Sequence, residues 1–267
     1  MTEANESAGW SRRYNIFFGA VIFVLILINI AIALDLFSIS RIWLWIINMV
    51  LILLFIVVTG AGITGGLWGF LIDDRLKRVS LSRFQLVLWT IIIVSALLTM
   101  VMFNLGNASQ APQDSPVKDD PLNVQVPPEV WGLLGISVVS LASSEYIKDQ
   151  HTESPQELAA APRTASSPAP NESTEQASLA DMFRGETESS QNFLEIGKVQ
   201  MFIFTLIVAL AYALALGDDL GNTDLTVIER MPELTAGMLT LLGISQAGYI
   251  ANKAISYQSA PPAGSNT

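Results

Sequence analysis

Charged positions divide the chain into long uncharged intervals, and the length of each interval predicts what it does. A bilayer core of about 30 Å takes roughly 20 apolar residues at 1.5 Å per helical residue. Between Arg13 and Asp35 runs YNIFFGAVIFVLILINIAIAL, enough for one span. Between Arg41 and Asp73 lie 31 uncharged residues, with a glycine-rich second half from Thr59 to Gly69. Between Arg83 and Asp114 the apolar part is Leu86–Leu105. The fourth interval, Glu129 to Glu145, has only 15 uncharged residues. The fifth and sixth, Lys198 to Asp218 and Glu233 to Lys253, have 19 each. The pattern predicts an all-α integral membrane protein with six transmembrane helices. They group as helices one and two (16–72), a hairpin over 86–146 and a second hairpin over 191–257.

The connections set an orientation, because Lys and Arg accumulate on the cytoplasmic side. Arg12 and Arg13, the basic connection 73–85, the stretch from Lys148 to Lys198, and Lys253 together hold 11 of the 14 basic residues. The opposite connections hold Arg41, Lys118 and Arg230. This alternation predicts cytoplasmic segments at both ends, 1–15 and 258–267, in a bacterial-type inner membrane. A second reading of the N-terminus is a signal peptide, with Ala31-Ile32-Ala33 as an A-x-A cleavage site. The apolar run exceeds the usual 7–15 residues of such a peptide, which favours an uncleaved anchor.

Composition narrows the function. Hydrophobic residues make up 51% of the chain and charged residues 14%, against about 25% charged in soluble domains. A net charge of -10 argues against a nucleic-acid partner, which requires a basic surface. Cysteine is absent and His151 is the one histidine, so disulfides, thiol chemistry and Cys/His metal sites are excluded. No cofactor is implied. Much of the acidity sits in residues 145–196, which carry ten acids against three bases. With Pro155, Pro162, Pro168 and Pro170 and few apolar side chains, residues 147–190 read as a disordered cytoplasmic linker. Near 178–185 the linker changes character. Leu179, Met182 and Phe183, with Ser178 and Asp181 spaced as a capping box, predict a short amphipathic helix. It suits the membrane surface or docking of a cytoplasmic partner.

The two hairpins resemble each other. Arg83, Gln85 and Thr90 have the spacing of Lys198, Gln200 and Thr205. The returning helices share Pro128-Glu129 with Pro232-Glu233, and Leu133-Leu134-Gly135-Ile136-Ser137 with Leu241-Leu242-Gly243-Ile244-Ser245. The distance from proline to LLGIS differs by four residues, so the match needs an insertion. Both copies run in the same direction, which predicts a parallel repeat rather than the inverted repeat of many coupled transporters.

No ionisable residue falls well inside a predicted span, which disfavours proton relays, ion coupling and voltage sensing. Neutral polar groups are plentiful. Ser137, Ser140 and Ser144 share one helix face and, with Thr240 and Ser245, are candidate pore-lining groups. Glu129 and Glu233 are candidate acids at a pore entrance, or ordinary helix-start residues. Gly62/Gly66 and Gly65/Gly69 form overlapping small-xxx-small pairs suited to helix packing. Gln85 and Gln200 are placed for interhelical hydrogen bonds, as are Asn29 and Asn48. No nucleophile elbow, phosphate loop or H-E-x-x-H motif occurs, so no enzyme is expected. The leading expectation is a homo-oligomeric pore without ion coupling. The alternative is a non-conducting scaffold or signalling component that recruits a partner through residues 147–195.

Overall fold

A computed structural model describes residues 12–36, 39–151 and 170–258. The described residues contain six long helices. They are α1 (Arg12–Ala33), α2 (Arg41–Thr64), α3 (Leu81–Asn107), α4 (Pro128–His151), α5 (Ile196–Gly221) and α6 (Ala236–Gln258). Short helical turns and three isolated bridges complete the described residues, without an extended sheet. Among the described residues, five helices are long and apolar enough to cross a membrane: Tyr14–Ala33, Arg41–Thr64, Leu81–Gln110, Pro128–Ile147 and Ile196–Gly221. The protein is therefore a multi-pass membrane protein in contact with lipid. Helix α6 forms where the sixth span was expected, but it is not among those five. Gln246, Asn252 and Lys253 dilute its second half.

The chain divides into two compact units. The first takes in residues 1–70, 87–133 and 208–236. Its interior holds Leu44, Trp89, Met100, Tyr212 and Leu216, all nearly inaccessible. A polar chain also runs through it. Asn29 donates to Asn48 at 2.8 Å, Asn48 donates to Thr99 at 3.0 Å, and Trp45 donates to Ser95 at 2.9 Å. Polar groups shielded from water must find partners in the protein, and here helices α1, α2 and α3 supply them to one another. The connection after α5 is held by Asn104, whose side chain donates to the Ile228 carbonyl and accepts from the Ile228 N–H, both at 2.8 Å.

Helix α2 ends earlier than its uncharged interval. Gly65 takes a left-handed conformation at φ 79°, the usual way to end a helix. The expected Gly62/Gly66 and Gly65/Gly69 packing pairs are thus not helical pairs. Beyond Gly65 the chain turns back, and close approach falls on Gly60 and Gly69. A Cβ on Gly60 would lie 2.6 Å from the Phe70 nitrogen, and one on Gly69 would lie 1.7 Å from the Thr64 hydroxyl.

The second unit takes in residues 71–86, 134–207 and 237–267. The basic connection is a tight hairpin in which Asp73 N–H donates to the Arg78 carbonyl and Ser80 N–H to the Leu71 carbonyl, each at 2.8 Å. The Asp73 carboxylate accepts from the N–H groups of Arg75 and Leu76. Against this hairpin lies part of the acidic linker. Within the expected linker 147–190, α4 continues to His151 and residues 170–190 are folded. Residues 152–169, also expected to be disordered, lie outside the described residues. The predicted amphipathic helix is a 3-10 turn at Leu179–Phe183. Ser178 N–H donates to Asp181 at 2.8 Å, as the sequence spacing predicts.

Two expectations about the repeat also change. Pro128 opens α4, whereas Pro232 and Glu233 precede α6, which starts at Ala236. Glu233 is therefore not a helix-start residue. Counted from the helix starts, LLGIS lies in the same register in α4 and α6, at Leu133 after Pro128 and Leu241 after Ala236. The four-residue difference belongs to the segment before α6.

Candidate functional site

The arm 170–195 holds the hairpin through backbone carbonyls. Asn171 N–H donates to the Leu76 carbonyl at 2.9 Å, and Lys77 Nζ donates to the Glu172 carbonyl at 2.9 Å. Arg78 donates to the Gly185 carbonyl at 2.9 Å and to Gln191 Oε1 at 3.2 Å. Met182 is buried, and Phe183 packs edge-on against Phe202 with ring centres 5.1 Å apart. Two of the three candidate docking residues are thus occupied within the chain, while Leu179 is exposed.

The arm delivers Glu186 to two buried lysines. Lys253 Nζ lies 2.7 Å from one carboxylate oxygen, and Lys198 Nζ lies 3.1 Å from the other. The lysine side chains are only 3% and 4% exposed. An ammonium so shielded is costly unless paired and hydrogen-bonded. Glu195 approaches Lys198 at 3.3 Å, and the Arg184 carbonyl accepts from it at 2.7 Å. Lys253 also donates to Ser144 Oγ at 2.5 Å and to Tyr249 Oη at 3.3 Å. Two lysines and two glutamates balance in charge. A cavity of about 190 Å³ adjoins them, with Thr187, Phe193 and Asn252 in its wall.

Helix periodicity places the rest. Gln246, Tyr249 and Lys253 lie at i, i+3 and i+7, on one face of α6, and all three are buried. The serine face of α4 is buried too: Ser137, Ser140 and Ser144 are each at most 2% exposed. Ser140 lies 3.5 Å from Ser82, and Ser144 meets Lys253. The predicted stripe is thus built into the interior of this unit. Thr240 is exposed and Ser245 half-buried. Gln85 is fully buried, donating to Thr205 at 2.5 Å and accepting from Gln246 at 2.8 Å. Gln200 is exposed, so the two glutamines matched in the expected repeat play different parts.

The chain matches no family model, no curated protein and no solved structure. What distinguishes the site is its geometry.

That geometry is an ionic lock between an arm and two helices. Sequence reasoning missed Glu186, one acid among many in an acidic stretch, and it treated Lys253 as a topology marker. The one available signal was the spacing of Gln246, Tyr249 and Lys253, the same spacing that drew attention to the serines. A second acidic group, Asp73, Asp74 and Glu145, brings its oxygens within 4.8 Å of one another. Arg83 lies 3.3 Å from Asp74 and 3.9 Å from Glu145, supplying positive charge there. In the first unit, Glu129 and Glu233 line one recess of about 270 Å³ with Gln125 and Arg230. Glu233 pairs with Arg230 at 3.5 Å.

Proposed function

We propose that this protein is a non-enzymatic, non-conducting membrane scaffold or signalling component that acts through its arm, residues 170–195. The observation that carries this reading is the double salt bridge of Glu186. A short segment at the end of a long linker is held by one carboxylate on two shielded lysines. In this reading the docked arrangement exchanges with a released one, which would expose Met182, Phe183 and the hairpin surface to a partner. In this reading both termini and the arm are cytoplasmic, α6 is a sixth span, and the membrane is a bacterial-type inner membrane. The α3–α4 and α5–α6 hairpins are a parallel duplication, supported by the common LLGIS register.

An oligomeric pore is the second reading, favoured by the shared recess of Glu129 and Glu233. Against it stand the serines of α4, engaged inside their own unit rather than facing open space.

Reconstitution of the full chain into planar bilayers separates the two. The scaffold reading expects no unitary conductance from the wild type or from Glu186→Gln. It further expects Glu186→Gln to alter which proteins co-purify from native membranes. Conductance steps that disappear in Ser140→Leu would overturn it.

A further inference from the structure

A second polar site lies in the first unit, at the start of α2. Arg41 opens this helix and is 7% exposed. One guanidinium nitrogen, Nη2, donates to the Asn222 carbonyl, and the guanidinium carbon lies 4.6 Å from the centre of the Phe103 ring. The other, Nη1, is buried without a hydrogen-bond partner. No carboxylate among the described residues pairs with Arg41, although the chain has 24 acids against 14 bases. A buried cation left so is expensive, and five fixed donors make Arg the side chain best matched to carboxylate and phosphate oxygens.

The helix start adds to this. Ser40 occupies the N-cap position in extended conformation, but its hydroxyl makes no capping hydrogen bond. Among the described residues, no side chain accepts from the first-turn N–H groups of α2, and the positive end of the helix dipole lies there. Around Arg41 opens a cavity of about 330 Å³, with Ser40, Asn107, Gln110, Thr223 and Thr226 as its polar wall and no acid in its lining. Hydroxyls, amides and a half-used guanidinium at a helix N-terminus are the parts of an oxyanion site.

We infer that this cavity binds a phosphate-type oxyanion, held by Arg41 and the first turn of α2. Since α2 is long and apolar enough to span a membrane from its first residue, that end falls at headgroup depth. The phosphate is carried by a lipid headgroup or is free in solution.

The test is the thermal unfolding midpoint of the full chain in detergent with three probes. These are inorganic phosphate against chloride at equal ionic strength, dioctanoyl phosphatidylglycerol, and dioctanoylglycerol, which has the same tails and no phosphate. The expected result is a rise of several degrees with a phosphate-bearing probe and none with dioctanoylglycerol, because a ligand that binds only the folded state stabilises it. A rise with the phospholipid alone assigns the headgroup; a rise with inorganic phosphate as well assigns the free anion. Arg41→Gln is expected to lose the shift, and Arg41→Lys, which keeps the charge without the fork, most of it. No rise in the wild type with either phosphate probe, or an undiminished rise in either variant, overturns the inference.

Discussion

Glu186 and Lys253 meet at 2.7 Å although 67 positions separate them along the chain, and their contact joins the acidic arm to α6. The same carboxylate reaches Lys198 on α5. One side chain thus neutralises two shielded cations, and its loss should cost more than that of a surface ion pair, which is worth about 0–1 kcal/mol.

Glu186→Gln is expected to destabilise the arm's docked state by about 3–5 kcal/mol, the usual cost of removing one partner from a buried pair. Hydrogen exchange should show lost protection at Glu195 and Lys198, whose N–H groups bond to the Phe183 and Glu195 carbonyls. Helices α1 and α2 should keep theirs. Unchanged protection in the arm would show that the lock does not hold it.

Gln85 and Gln200 should respond differently. Gln85→Ala leaves the buried Gln246 amide without its acceptor, while Thr205 keeps its bond to the Met201 carbonyl. The change is expected to cost about 1–3 kcal/mol. Gln200→Ala, at an exposed position, should stay within about 0.5 kcal/mol. Reversible unfolding in mixed micelles measures both, and equal effects would contradict the asymmetry.

Asn48→Leu removes the middle of the Asn29–Asn48–Thr99 chain. Interhelical hydrogen bonds in membrane proteins average about 0.6 kcal/mol and reach about 1.7 kcal/mol. A loss of about 1–2 kcal/mol is therefore expected, since the two bonds exchanged with Asn29 and the one to Thr99 go at once. The double variant with Asn29→Leu should cost less than the sum of the singles, which a double-mutant cycle checks.

Alanine should sort the glycines near the end of α2. Gly60→Ala and Gly69→Ala place a Cβ against Phe70 and Thr64, whereas a Cβ on Gly66 meets nothing within 4 Å. Folded yield in detergent should fall sharply for the first two and hold for Gly66→Ala. A loss at Gly66 alone would restore the helical packing pair expected from sequence.

Cysteine labelling gives one more check, because the chain has no native thiol. Ser140→Cys should resist a membrane-impermeant reagent, while Gln200→Cys, at an exposed position, should react if it lies outside the bilayer on the side reached by the reagent. Rapid labelling at Ser140 would favour the pore reading.

How much of this was legible in advance follows from which properties are local. The five apolar spans are a matter of run length and composition, so they could be read directly from the spacing of charges. The Ser178–Asp181 cap was legible for the same reason, since its partners are three residues apart. The stripe Ser137/Ser140/Ser144 was visible as a stripe, but periodicity shows only that residues share a face. Whether that face meets water, lipid or Lys253 depends on which helix packs against it. Likewise, spacing alone made Gln85 and Gln200 equivalent; their neighbours made one a buried hub and left the other exposed. The glycine pairs failed because one φ angle, at Gly65, ended the helix on which they depended. Glu186 could not be singled out among ten acids in a stretch of low complexity, because its role comes from lysines far along the chain. Local composition decides where a membrane helix can form. Burying a charge or an amide then demands a partner, and only the tertiary structure decides which one.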